Sequence, residues 1–188
     1  MRIVLLYPPH QSWPGTYVKP NGSLAYPMLG GALLELGMEV RVVDATVGTD
    51  RDDLQQVFFS PKMLPSGLVR TGLSDERILE EVADADIVGL TSIFSDQETM
   101  VLHAARLIKA AYPGKLIVAG GANARFRLPR FLGNGIDLVC LSEAEETIKR
   151  IARKVEARNF DFSDLSSVAF MRAGRIVGLS TLLVLGYF

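Results

Sequence analysis

The groups that could do chemistry in this chain are few and mostly neutral. There is one cysteine, Cys140, and there are two histidines, His10 and His103. A zinc site or an iron–sulfur cluster needs several thiolates or imidazoles converging on one point, so a lone cysteine excludes an iron–sulfur cluster in this chain. Cys140 sits inside an apolar run, Ile136 to Leu141, where a packed thiol is expected. A serine hydrolase elbow (G-x-S-x-G), a P-loop and a G-x-G-x-x-G fingerprint are all missing. His10 follows the first apolar run, where it can meet a ligand, and His103 falls in mid-helix, which favours a structural or surface role. Glu143, Glu145 and Glu146 cluster at a helix start, where they offset the helix dipole and disfavour a phosphate. Trp13 and Tyr17 suit stacking on a flat ligand or covering a sheet edge. What remains is hydroxyls at Thr91 and Ser92, glycines at Gly120 and Gly121, and the amide of Asn123. That is the inventory of a binding module rather than of an enzyme, and it suits a large cofactor bearing amide and phosphate groups.

These residues are positioned by a regular alternation of strand and helix. Short apolar, β-branched runs at Arg2–Tyr7, Val40–Asp44, Ile87–Leu90, Lys115–Ala119 and Ile136–Leu141 have the pattern of strands buried on both faces of a parallel sheet. Between them, helices are predicted at Ser23–Leu36, Ser74–Ala83, Ser95–Ala111 and from Ser142 to about Arg158. The pairs Ser95/Glu98 and Ser142/Glu145 form capping boxes, Ser74 is a further N-cap, and Gly37 and Pro113-Gly114 act as stops. Asp50–Phe59 suits a short helix, Ser60–Gly72 a loop, and Arg125–Leu132 a short proline-interrupted helix or turn. The fold class is therefore α/β, a flavodoxin-like doubly wound five-stranded parallel sheet of Rossmann-like type. Val168–Arg172, Ala173-Gly174 and Arg175–Gly178 form a small C-terminal β-hairpin outside that unit. The division is 1–158 for the doubly wound domain and 159–188 for the hairpin and an apolar tail.

In open parallel sheets ligands sit beyond the carboxyl ends of the strands. Four loops should meet there: 8–22, 91–96, 120–125 and 141–145. Gly120-Gly121 leaves the backbone uncovered at the end of the fourth strand, which suits a ligand floor and equally a tight strand-to-helix turn. Bulk properties bound the rest. The chain has 188 residues, 48% hydrophobic and 22% charged, with a formal net charge of −1. That suits one globular domain with a small appendage, with no nucleic-acid surface, no membrane span and no signal peptide. A single cysteine fits a reducing, cytoplasmic setting.

The order of features is familiar. Pro8-Pro9 closes the first strand. Leu36-Gly37-Met38-Glu39-Val40 leads into the second, and Asp84-Ala85-Asp86-Ile87-Val88-Gly89-Leu90-Thr91-Ser92 into and past the third. Ile108 to Pro113, the Gly120-Gly121 strand end, Gly135-Ile136-Asp137 and Glu143-x-Glu145-Glu146 follow. In this order and spacing the chain resembles the N-terminal cobalamin (B12)-binding domain of B12-dependent radical SAM enzymes over about residues 2–178. The resemblance implies a corrinoid, and hence metal-ion (cobalt) binding, across the carboxyl edge, with its nucleotide tail entering between loops. Pro8, Pro9 and His10 would line the first loop. Thr91 and Ser92 would bond the tail or its phosphate, and Gly120, Gly121, Ala122 and Asn123 would let it pass close to the backbone. Glu143 would border the site. On this basis Gly121→Val should block cobalamin while sparing the fold.

The chain departs from the family pattern at three places: Gly121-Ala122-Asn123 replaces Gly-Pro-His, Ser142-Glu143-Ala144-Glu145 replaces Gly-Glu-Gly-Glu, and Gly22-Ser23-Leu24-Ala25 replaces Pro-Pro-Leu-Gly. The Asp-x-His-x-x-Gly signature is also broken, with Pro8 and Trp13 in its Asp and Gly places, so no protein histidine is expected on cobalt. Without a cluster-binding cysteine motif, radical SAM and methyltransferase chemistry would need a radical SAM domain in cis or in trans. Residues 159–188 would then be a truncated linker to it. The alternative is a degenerate cobalamin-binding fold serving as a protein-interaction scaffold, a possible homo-oligomer through the apolar tail Leu179–Phe188. A stand-alone flavodoxin-like enzyme acting on a nucleotide is disfavoured by the missing phosphate motifs.

Overall fold

The structure, a computed structural model, describes residues 1–16, 18–19 and 22–178. Tyr17 and the apolar tail Leu179–Phe188 lie outside the described residues. The centre is a seven-stranded sheet built from β1 (Arg2–Tyr7), β3 (Glu39–Asp44), β6 (Ile87–Thr91), β7 (Leu116–Gly120), β8 (Leu138–Cys140), β9 (Val168–Arg172) and β10 (Arg175–Val177). Its order is β10-β9-β8-β7-β6-β1-β3. From β3 to β8 the pairs are parallel, with β1 between β3 and β6. The chain thus winds outward from β1 to β3, then reverses and builds β6, β7 and β8 on the other side. The crevice between β1 and β6 is the switch point, where doubly wound folds bind ligands.

Side chains alternate across the sheet with period two, and this divides the core. Val4, Leu6, Val88, Ile117 and Val139 face α3 (Asp75–Val82), α4 (Glu98–Ala111) and α6 (Leu128–Leu132). Ile3, Leu5, Ile87, Val118, Leu138 and Cys140 face α1 (Ala25–Leu34) and α7 (Glu145–Glu156). Burial of the largest of these side chains is complete, and each contributes about 1.5–3 kcal/mol.

Several expectations are corrected. The hairpin extends the sheet rather than standing apart, because β9 pairs antiparallel with β8. Its two-residue loop, Ala173-Gly174, has positive φ at both positions (48° and 74°), the geometry whose twist matches paired strands. In the stretch 45–72 the expected short helix is present, but part of the expected loop is strand. The stretch holds a single helical turn, α2 (Leu54–Val57), and two short strands, β4 (Lys62–Met63) and β5 (Val69–Thr71). These form a second, three-stranded sheet with β2 (His10–Ser12), in the order β2-β5-β4. Strands of two or three residues carry no readable periodicity, and β2 lies some sixty residues from its partner β5.

The capping boxes also differ. Ser74 does cap α3, accepting from the Arg77 amide. Ser95 instead opens a 3₁₀ turn, Ser95–Gln97, and the Gln97 side-chain oxygen accepts from the Ile93 and Phe94 amides at 2.9 and 3.2 Å. α7 begins after Ala144, with no side-chain cap.

Candidate functional site

At the carboxyl edge of the sheet, on the α1/α7 face, lies a cavity of about 280 Å³. Its depth is apolar: Leu5, Gly89, Val118 and Cys140 come from four adjacent strands, and Leu29 and Ile148 from the two helices. Gly89 is the one residue of β6 without a side chain, and a Cβ there would stand 2.7 Å from the Leu5 Cδ2. A glycine in mid-strand marks a close approach, and here it deepens the floor beside the switch point. Sequence reasoning passed over it, although a glycine inside Ile87-Val88-Gly89-Leu90 was the available signal. Burial pushes the Cys140 thiol up to about 12, so it is an inert wall. Tyr26 is buried, donates to the Leu6 carbonyl at 2.6 Å and meets the Tyr7 ring edge-on. Burial holds its hydroxyl well above the ordinary tyrosine range.

The mouth is polar. It collects Thr91, Gly120, Gly121, Ala122, Ser142, Glu143 and Glu145, together with one cationic side chain, Arg125. Arg125 lies on α5 (Ala122–Phe126) and donates to the Leu141 carbonyl at 3.3 Å. Nothing in the sequence distinguished it from its neighbours.

Of the predicted residues, Thr91, Gly120, Gly121, Ala122 and Glu143 line this cavity, and Ser92 and Asn123 do not. Adjacent residues at a strand end point to opposite faces, and Ser92 is turned away from the cavity. Its hydroxyl accepts from the Asn123 side chain at 2.9 Å, and that amide also donates to Glu98 at 3.3 Å. Glu98 is buried and pairs with Arg127 at 2.9 Å and with Arg130. The result is a closed clamp on the α4 face that ties the loop after β6 to the loop after β7. Gly121 belongs to that clamp: φ is +99°, and a Cβ would lie 2.4 Å from the Ser92 carbonyl oxygen. The expectation that Gly121→Val would spare the fold is therefore overturned. Gly120 has open space around the same position.

His10 is on β2, paired with Thr71, and lines a second cavity of about 580 Å³ with Tyr7, Ser23, Thr46 and Gln97. The two cavities share Ala25 and Ile93. Pro8 and Pro9 are buried and line neither cavity; Pro9 packs against Gly72. Trp13 is 71% exposed and borders neither cavity. His103 bonds Asp75 at 2.8 Å, between α4 and the first turn of α3. Among the described residues no group of three or more metal-ligating side chains converges, and no helix is long and apolar enough to cross a membrane.

The sequence profile of the B12 binding domain matches residues 22–152. Over 82 residues, 42% of this chain and 15% of the relative, the sequence is 37% identical to cytidylyl-2-hydroxyethylphosphonate methyltransferase of Streptomyces wedmorensis. Two solved structures share the fold over 95% of this chain. The cobalamin-dependent S-adenosylmethionine radical enzyme OxsB, with aqua-cobalamin bound, superposes with a TM-score of 0.66 at 16% identity, and this chain covers 22% of it. The radical S-adenosylmethionine methyltransferase TsrM from Kitasatospora setae gives 0.63 at 17% identity, with 30% covered. The chain thus spans less than a third of the length of any of these relatives. With a match over residues 22–152 and a doubly wound sheet that opens at its switch point, the chain belongs to the B12-binding domain family.

Proposed function

We propose that this chain is the cobalamin-binding domain of a B12-dependent radical SAM enzyme, with methyl transfer as the reaction of the whole system. The observation that carries this is the cavity at the switch point, apolar in depth and polar at its mouth, with a floor that the missing Gly89 side chain lowers. At about 280 Å³ it has room for a flat bicyclic group but not for a whole corrinoid. That suits a nucleotide tail whose macrocycle stays outside. Tyr26, Leu29 and Ile148 would pack against the base, which the apolar depth favours. Thr91 and Ser142 would bond polar atoms of the tail at the mouth, and Gly120 and Ala122 would let it pass close to the backbone. Glu143 and Glu145 would border the entrance.

Bound cobalamin would supply a cobalt-centred methyl carrier, and the protein's part is to hold and orient it. We assign no histidine of this chain to cobalt. The iron–sulfur and S-adenosylmethionine chemistry would come from a radical SAM domain in cis or in trans.

Titration with hydroxocobalamin, followed by visible spectrum and by co-elution on gel filtration, tests this. A saturable spectral change with stoichiometric co-elution is expected. Absence of both overturns the reading. A yellow protein as purified, with no corrinoid uptake, would favour a flavodoxin-like nucleotide binder instead.

A further inference from the structure

We propose that Arg125 is the anion-holding residue of the cavity, pairing with the phosphodiester of the cofactor's nucleotide tail; this rests on the cobalamin reading above. The charged side chains that line the cavity are Arg125, Glu143 and Glu145. Glu143, on the connection from β8 to α7, and Glu145, the first residue of α7, repel an anion, so a phosphate entering the mouth is steered towards α5, which follows β7 and carries Arg125. Arg127, between α5 and α6, and Arg130, on α6, both spend their charge on the buried Glu98. Arg125 is half-buried, yet it pairs with no carboxylate among the described residues.

Its head is nonetheless placed. One Nη1 hydrogen bond runs to the Leu141 carbonyl at 3.3 Å, and the guanidinium lies 5.3 Å from the centre of the Phe126 ring. A guanidinium carries five N–H donors in a planar fork that matches a phosphate. The contact to Leu141 uses one and leaves the others for a ligand. A positioned, half-buried cation that forms no ion pair among the described residues, at the mouth of an apolar cavity of nucleotide size, is what a phosphodiester needs. Thr91 and Ser92 were the sequence's candidates for that role; Thr91 lines the cavity but carries no charge, and the Ser92 hydroxyl is already committed to Asn123.

The test compares hydroxocobalamin with cobinamide, which lacks the phosphate, ribose and base. Wild-type protein should bind cobalamin more tightly than cobinamide. Arg125→Gln, which keeps a polar amide but has no charge, should lose about tenfold or more in cobalamin affinity while its cobinamide affinity stays unchanged. Arg125→Lys keeps the charge without the fork and should fall between the two. Equal losses for both corrinoids, no loss for either, or a lysine variant no better than glutamine would overturn the assignment. So would wild-type protein that binds the two corrinoids equally. Wild-type protein that binds neither corrinoid would overturn the cobalamin reading itself.

Discussion

Gly120 and Gly121 are adjacent in the chain and belong to regions with opposite character. Gly120 opens onto the cavity between the sheet and α1/α7, where an added Cβ meets nothing within 4 Å. Gly121 lies against the clamp on the α4 face, where Ser92, Asn123, Glu98, Arg127 and Arg130 satisfy one another. In the clamp every polar side chain has a partner, and the backbone is pressed so close that only glycine fits. At the cavity mouth the cation Arg125 pairs with no carboxylate among the described residues, and the depth is apolar. A ligand competes for groups whose bonds are still to be made, so the open side is the candidate site. The clamp then fixes where the mouth stands.

The sharpest way to break this comparison is Gly121→Val. The positive φ and the 2.4 Å approach to the Ser92 carbonyl should cost about 3 kcal/mol or more, seen as a lowered denaturation midpoint. A variant of wild-type stability would mean that the clamp is loose. Asn123→Ala comes next. It removes donors to Ser92 and to buried Glu98 and should destabilise by about 1–3 kcal/mol, with a smaller effect on corrinoid affinity than on melting.

Gly120→Leu should do the reverse, weakening hydroxocobalamin binding about tenfold or more, roughly 1.4 kcal/mol, while the denaturation midpoint moves little. If both glycine variants unfold the protein alike, the division between the regions fails.

The smallest effect concerns the cavity floor. Burial raises the Cys140 thiol to about 12 from an ordinary 9.0. The folded state therefore favours the neutral thiol. Its contribution to stability is intact below pH 9 and is lost as pH rises towards the folded value. At pH 8 a thiol reagent should modify the urea-unfolded chain quickly and the native chain slowly. Rapid native labelling would show that the floor is open to water.

The sheet was legible because most of its parallel strands are short apolar, β-branched runs, with β3 at the edge interrupted by Arg41, and because helices with clear stops separate the runs. The three-stranded sheet was not. β2, β4 and β5 are two or three residues long, too short to show a period, and β2 joins the local β4–β5 pair only from some sixty residues away. Thr91 and Ser92 looked equivalent in the sequence, as did Gly120 and Gly121. Strand geometry makes Thr91 and Ser92 unlike, since neighbours at a strand end face opposite ways, and the close approach of the Ser92 carbonyl makes Gly121 unlike Gly120. Arg125, Arg127 and Arg130 were likewise indistinguishable until the fold set Glu98 beside two of them and the cavity beside the third.

The sequence by itself determined the family, the alternation of strand and helix, and the set of loops that meet at the carboxyl edge. These depend on local composition and order along the chain, and both are written in the residues. Only the tertiary structure decided which of two neighbouring residues faces the cavity and which arginine pairs with no carboxylate among the described residues. Those outcomes depend on the phase of each strand against two different helical layers, and burial on both faces sets that phase for the whole sheet at once.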